Sequence, residues 1–198
     1  MSNGIGRRLL ALAFAVVLQT SLAGCAFQQH EVAITAAAPV IQSRAGEGVK
    51  VALRVFDDRD TKTVGQRGAG MVGADIKATM LMNHLQTEVT KGLVAQGFTV
   101  LPSGSTEADA SLLVSLRSFK FFIEMGFWTG ANNVAISIKA DANRAGKSYL
   151  NAYQFDSEER SMVVPTGAGI DEALNAGLSD VLKQMFADQA MVNFLAGH

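Results

Sequence analysis

Apolar residues recur along this chain with two periods, and the switches between them divide it into elements. From Val49 to Asp57 the period is two, with Val49, Val51, Leu53 and Val55 on one side and Ala52 and Phe56 on the other. Apolar residues on both sides predict a centrally placed strand. Asp57-Asp58-Arg59-Asp60 then breaks the pattern. From Thr79 to Gln96 the spacing becomes four, through Leu81, Leu85, Val89 and Leu93, with Met82 and Val94 widening the stripe. That is an amphipathic helix, and Gly97 closes it as a helix-terminating glycine does. Short strands are expected on either side of it, at about residues 71–77 and from Phe98 to Leu101.

Ala110 to Met125 is long enough for one extended strand, but its inward parity changes. Leu112, Val114 and Leu116 share one parity, and Phe119, Phe121, Ile123 and Met125 share the other. A bulge near Arg117-Ser118 accounts for the switch. Asn133 to Ala142 alternates again, and after a turn at Asn143–Gly146 the stretch from Lys147 to Ser157 places Tyr149, Tyr153 and Phe155 on one side. These three strands read as an antiparallel meander. Ile170, Leu174, Leu178, Val181, Leu182 and Met185 form the strongest helical stripe, with Asp171 and Glu172 expected in its first turn, where the helix dipole favours acids. Asp188 restarts a short helix through Leu195. The order predicts an α+β fold: a single two-layer domain, with a mixed or antiparallel sheet containing the meander and two main helices packed on one face.

The amino-terminal pattern differs in kind. Ten apolar residues from Leu9 to Leu18 follow Arg7 and Arg8 and lead into Leu22-Ala23-Gly24-Cys25. This is the charged, apolar and small-residue layout of a secretory signal. Gln19, Thr20 and Ser21 interrupt the run well short of the roughly 20 residues a spanning helix needs. Leu22, Ala23, Gly24 and Cys25 resemble a bacterial lipobox, which implies signal-peptidase recognition at the first three, cleavage before Cys25, diacylglycerol on its sulfur and an N-palmitoyl group on the new amino terminus. A plain signal cut beside Ala23 or Ala26 is the alternative, and it leaves the chain's one cysteine unexplained. Ala26, rather than Asp, follows the cysteine, which resembles the default for lipoproteins sent to the outer membrane. The expected organisation is therefore a cleaved signal over residues 1–24, a lipidated terminus and flexible tether over 25–48, and a globular domain over 49–198. Val32-Ala33-Ile34-Thr35 offers an alternative as a docked edge strand.

Composition adds limits. Removing Arg7 and Arg8 takes the formal net charge from −1 to −3, and no clustered basic surface exists for nucleic acid or anionic lipid. With Cys25 lipidated, neither a disulfide nor thiol chemistry remains. No cofactor is implied. Gly68-Ala69-Gly70-Met71-Val72-Gly73 matches a dinucleotide fingerprint in letters only, because the preceding strand ends about ten residues early and the nearest acid, Glu88, falls in a helix. The Asp57–Asp60 run lacks the oxygen-ligand spacing of a calcium loop and reads as a charged, solvated loop. His84 stands far in sequence from His30 and His198, so a hydrogen-bonded or exposed histidine is expected rather than a metal ligand. Asp156, Glu158 and Glu159 are the one conceivable glycosidase set, but they fall in a polar run at the expected strand end. Neither a catalytic constellation nor a metal site emerges.

One oddity bears on function. Phe127 and Trp128 occupy a hairpin tip between Gly126 and Gly130, where two large aromatics either fold back on the sheet or meet a partner or membrane interface.

Considered whole, the chain resembles the YajG-like family of bacterial lipoproteins. The resemblance rests on Leu22–Cys25, the Val49–Val55 strand with its Asp-Asp-Arg-Asp loop, Ala95-Gln96-Gly97-Phe98, the Asn133–Asp141 strand, and the closing segment from Asp180 to Leu195. It implies an envelope lipoprotein without family catalytic residues. Two functions of different class follow. The first is a non-catalytic, periplasm-facing domain tethered to the outer membrane that binds an envelope protein. The second is a domain that binds or processes a small ligand or glycan.

Overall fold

A computed structural model describes residues 29–67, 73–125, 130–161 and 165–198. Its strands are β1 (His30–Glu31), β2 (Lys50–Asp57), β3 (Gly65–Arg67), β4 (Ala74–Lys77), β5 (Thr99–Pro102), β6 (Ala110–Met125), β7 (Gly130–Arg144) and β8 (Lys147–Ser161). Its helices are α1 (Leu81–Ala95), α2 (Gly167–Ala187) and α3 (Gln189–Ala196). All eight strands form one mixed sheet, so the predicted α+β class is observed.

β6 is the axis of that sheet. On one side it pairs with β7 along its whole length, antiparallel, and β7 pairs in turn with β8. On the other side its first half takes β2 in parallel, and Phe121 in its second half pairs with Gly65 of β3. The expected parity switch is present as a register shift between Leu116 and Ser118. Leu112, Leu116, Phe119 and Phe121 thereby all face the helices and are buried. The Asp57–Asp60 loop abuts the bulge, with Asp58 N–H donating to Leu116 O at 3.0 Å and the Asp58 carboxylate paired with Arg117. This loop is not wholly solvated as expected: Arg59 is 9% exposed and its Nε donates to Asp57 Oδ1 at 2.8 Å. The Arg59 guanidinium beside Asp57 holds that carboxyl well below the ordinary carboxylate range, outweighing the opposite effect of burial.

The helices lie on one face. α1 buries Leu81, Leu85, Val89 and Leu93, as their spacing predicts, and ends at Gly97 with φ +92°. A Cβ on Gly92 would lie 2.2 Å from Phe186 Cζ, so this glycine is what lets α1 and α2 approach. Gln96 Nε2 donates to Phe186 O at 2.9 Å and ties the two together. α2 starts earlier than its stripe suggested, with Thr166 as N-cap accepting from the Gly169 N–H. Asp171 and Glu172 consequently lie beyond the first turn. Asp188 caps α3, in the position expected for a restart.

The tether expected over 25–48 is corrected in its described part. β1 pairs with β4, Val32 and Ala36 are 3% and 2% exposed, and Ile34, Ala38, Ile41 and Ala45 pack against the core. Polar side chains from both long helices catch this strap. Asn175 Oδ1 accepts from the N–H groups of Thr35 and Ala36, Glu88 Oε2 accepts from Ala38 N–H, and His84 Nε2 sits 2.5 Å from Ala36 O. A strap with its own apolar residues and these partners is held rather than loose.

Candidate functional site

Cys25, with Leu22, Ala23 and Gly24, lies outside the described residues, as do Phe127 and Trp128. The latter join Met125 to Gly130, which face each other across the last rung of the β6–β7 ladder. Of the glycine-rich stretch only Gly73 is described, and it precedes β4. His84 is engaged with backbone, and His30 Nε2 is 2.6 Å from Asp171 Oδ1. Among the described residues no group of three or more His, Cys, Asp or Glu side chains is placed to hold a metal ion. No described helix is long and apolar enough to cross a membrane.

The structure instead brings together a groove between α2 and the end of the meander. Farther along α2, Gly177 lets Phe155 and Ile136 in so closely that a Cβ there would meet them at 2.7 and 2.9 Å. Toward the start of the helix the facing residues are Gly169, Ala173 and Ala176, too small to reach the sheet. The space left measures about 640 Å³. Phe121, Val134 and Phe155 floor it, while Asn132, Ser157, Glu159, Thr166 and Glu172 supply its polar lining. Among the described residues neither Glu159 nor Glu172 pairs with a cation.

Sequence reading missed this groove because it ended β8 at Ser157. The strand runs on to Ser161. Glu158 and Glu159 therefore alternate across it instead of lying together at a solvated end, and only Glu159 faces the groove. The available signal was that Ser157, Glu159 and Ser161 continue the parity of Tyr153 and Phe155.

The groove borders a free strand edge. β8 pairs only with β7 among the described strands. Ala152 N–H donates to Asn151 Oδ1 at 2.9 Å and Gln154 O accepts from Gln184 Nε2 at 2.9 Å, so the even-numbered residues turn their backbone groups outward. With unbroken register to Ser161, Asp156, Glu158 and Arg160 continue that outward row. Their charged side chains guard against indiscriminate pairing.

A family model described as an uncharacterized lipoprotein matches residues 36–196. No curated protein matches the sequence. The fold is similar to that of a Xanthomonas campestris protein assigned to the DUF330 family model, at TM-score 0.53 and 13% identity, covering 83% of this chain and 95% of that one. A second solved structure, of an uncharacterized protein, is similar at TM-score 0.50 and 13% identity, covering 82% and 95% respectively. At these identities the likeness shows shared architecture alone.

Proposed function

The chain belongs to this family of uncharacterized lipoproteins, and on that premise we propose that it is a non-catalytic envelope domain, anchored through lipidated Cys25 to the outer membrane and facing the periplasm. Its task is to bind an extended segment of another envelope protein. The observation that carries this reading is the outward backbone row of Asp156, Glu158 and Arg160 beside the groove.

A segment pairing with that row adds a strand to the sheet, and its alternate side chains enter the groove. The apolar floor of Phe121, Val134 and Phe155 suits apolar side chains, and Glu159 with Glu172 suits a Lys or Arg at the rim. The apolar floor of Phe121, Val134 and Phe155 beside an open strand edge favours a polypeptide over a glycan. Phe127 and Trp128 are further proposed contacts at the tip of the same meander.

A photo-crosslinking residue at Ser157, introduced in cells, tests the reading. One defined adduct is expected, and it should disappear with Glu158→Pro, whose lost N–H faces outward and takes no bond from the β7 ladder. An adduct that survives Glu158→Pro, or that forms equally from Asn143, overturns strand addition. Cys25→Ser should abolish lipidation by mass and release the protein from membranes; an unchanged mass and sedimentation overturns the anchor.

A further inference from the structure

The sheet fixes which end of the domain the anchor reaches. His30 pairs with Ile76, Ile76 with Gly65, and Gly65 with Phe121, so these four residues form one row across the sheet. β1 is parallel to β4, β4 antiparallel to β3, and β3 parallel to β6. β1 therefore runs opposite to β6. The chain arrives at His30 from the end toward which β6 climbs, where Met125 faces Gly130 and Gly130 faces Ser161.

The chain before that strand has little reach. Cys25 is four residues from Gln29, and four residues span at most about 14 Å. No slack is available from β1. His30 is held by Asp171 at 2.6 Å, Glu31 Oε1 accepts from Thr79 N–H at 2.5 Å, and Val32 N–H donates to Lys77 O at 2.8 Å. The row of His30 and Phe121 lies four residues below Met125, about 13 Å along the strand. A lipid on Cys25 would therefore hold Gln29, and with it this end of the sheet, within about 14 Å of the anchoring point.

We propose that this end of the sheet rests against the bilayer surface, so that the membrane is itself the partner of the Met125–Gly130 end. The inference rests on Cys25 carrying the lipid. Phe122, 42% exposed on the face of the sheet away from the helices and three rungs from Met125, adds apolar surface near that end. The short tether supplies the contact by keeping the local concentration high, and no basic patch is needed. The groove opens at the same end, since Asn132 and Glu159 pair in the ladder two rungs from Gly130. A protein bound there is consequently one that lies close to the membrane.

The single cysteine makes the test clean, because acylation at Cys25 leaves an introduced thiol as the only labelling site. Full-length lipidated protein is placed on phosphatidylethanolamine–phosphatidylglycerol vesicles containing a head-group quencher, with a fluorophore at Glu124→Cys or Asn143→Cys. Both positions are exposed. Asn143 pairs with Ser111, thirteen residues from Glu124 along β6, about 43 Å away. Quenching several-fold stronger at Glu124 is expected, and it should be lost when a twenty-residue Gly-Ser linker is inserted before Gln29. Equal quenching, stronger quenching at Asn143, or quenching indifferent to the linker overturns the orientation. Failure of the protein to float with the vesicles overturns the lipid anchor instead.

Discussion

Asn175 Oδ1 accepts the backbone N–H of Ala36 at 2.9 Å, joining residues 139 positions apart in sequence. The same oxygen accepts from Thr35 N–H at 2.7 Å, and the amide nitrogen donates to Ala33 O at 2.8 Å and to Asp171 O at 2.7 Å. One side chain on α2 thus substitutes for the missing strand partner of three strap residues, Ala33, Thr35 and Ala36.

Asn175→Ala should cost about 1 to 2 kcal/mol, because the amide of buried Ala36 loses its partner while the groups of Thr35 and Ala33 can turn to water. Urea unfolding measures the loss. Amide exchange at Thr35 and Ala36 should accelerate more than exchange at Leu112 or Ile138 in the core.

Asp188 joins three elements. Its Oδ2 accepts from the Tyr153 hydroxyl at 2.5 Å, the Tyr149 hydroxyl at 2.6 Å and Asn151 Nδ2 at 2.9 Å, while Oδ1 caps α3 at Ala190 and Met191. Burial works to raise its pKa, but the hydrogen bonds outweigh it and bring it down to about 2. A depressed folded-state value stabilises the protein above the ordinary carboxylate pKa of about 3.9, and the contribution is lost as pH falls through about 2. Asp188→Asn keeps a capping oxygen and should cost about 1 kcal/mol at pH 7, whereas Asp188→Ala should cost about 2 to 3 kcal/mol. The gap between wild type and Asp188→Asn, measured by urea unfolding, should narrow between pH 4 and pH 2.

Ala145 has φ +49° beside Gly146 at +76°, in the two-residue turn between Arg144 and Lys147. This turn wants left-handed residues at both positions, and alanine resists it. Ala145→Asn should stabilise the protein by about 0.5 to 1 kcal/mol, raising the midpoint of thermal unfolding by a few degrees.

The parts of the fold that were legible in sequence are those where one face is buried and the period is long. The β6 parity switch, the α1 and α2 stripes, Gly97 and the Asp188 restart all express a choice between core and water at each residue. The strap was legible only as the alternative of a docked edge strand at Val32–Thr35, because Val32, Ile34 and Ala36 are too sparse to announce a buried segment, and the groups that hold them, Glu88 and Asn175, sit on helices far away in sequence. The groove was hidden for a related reason. Its chemistry comes from what α2 lacks at Gly169, Ala173 and Ala176, and from a polar strand end whose continued parity carries no apolar residue to announce it. Cys25 lies outside the described residues, and its reading rests on the sequence motif alone.

The strap also sets an order of assembly. A ribosome delivers Thr35 and Ala36 long before Asn175, so the side chain that accepts their amides is the last of the group to be made. The strap therefore closes late, when the last third of the polypeptide has arrived.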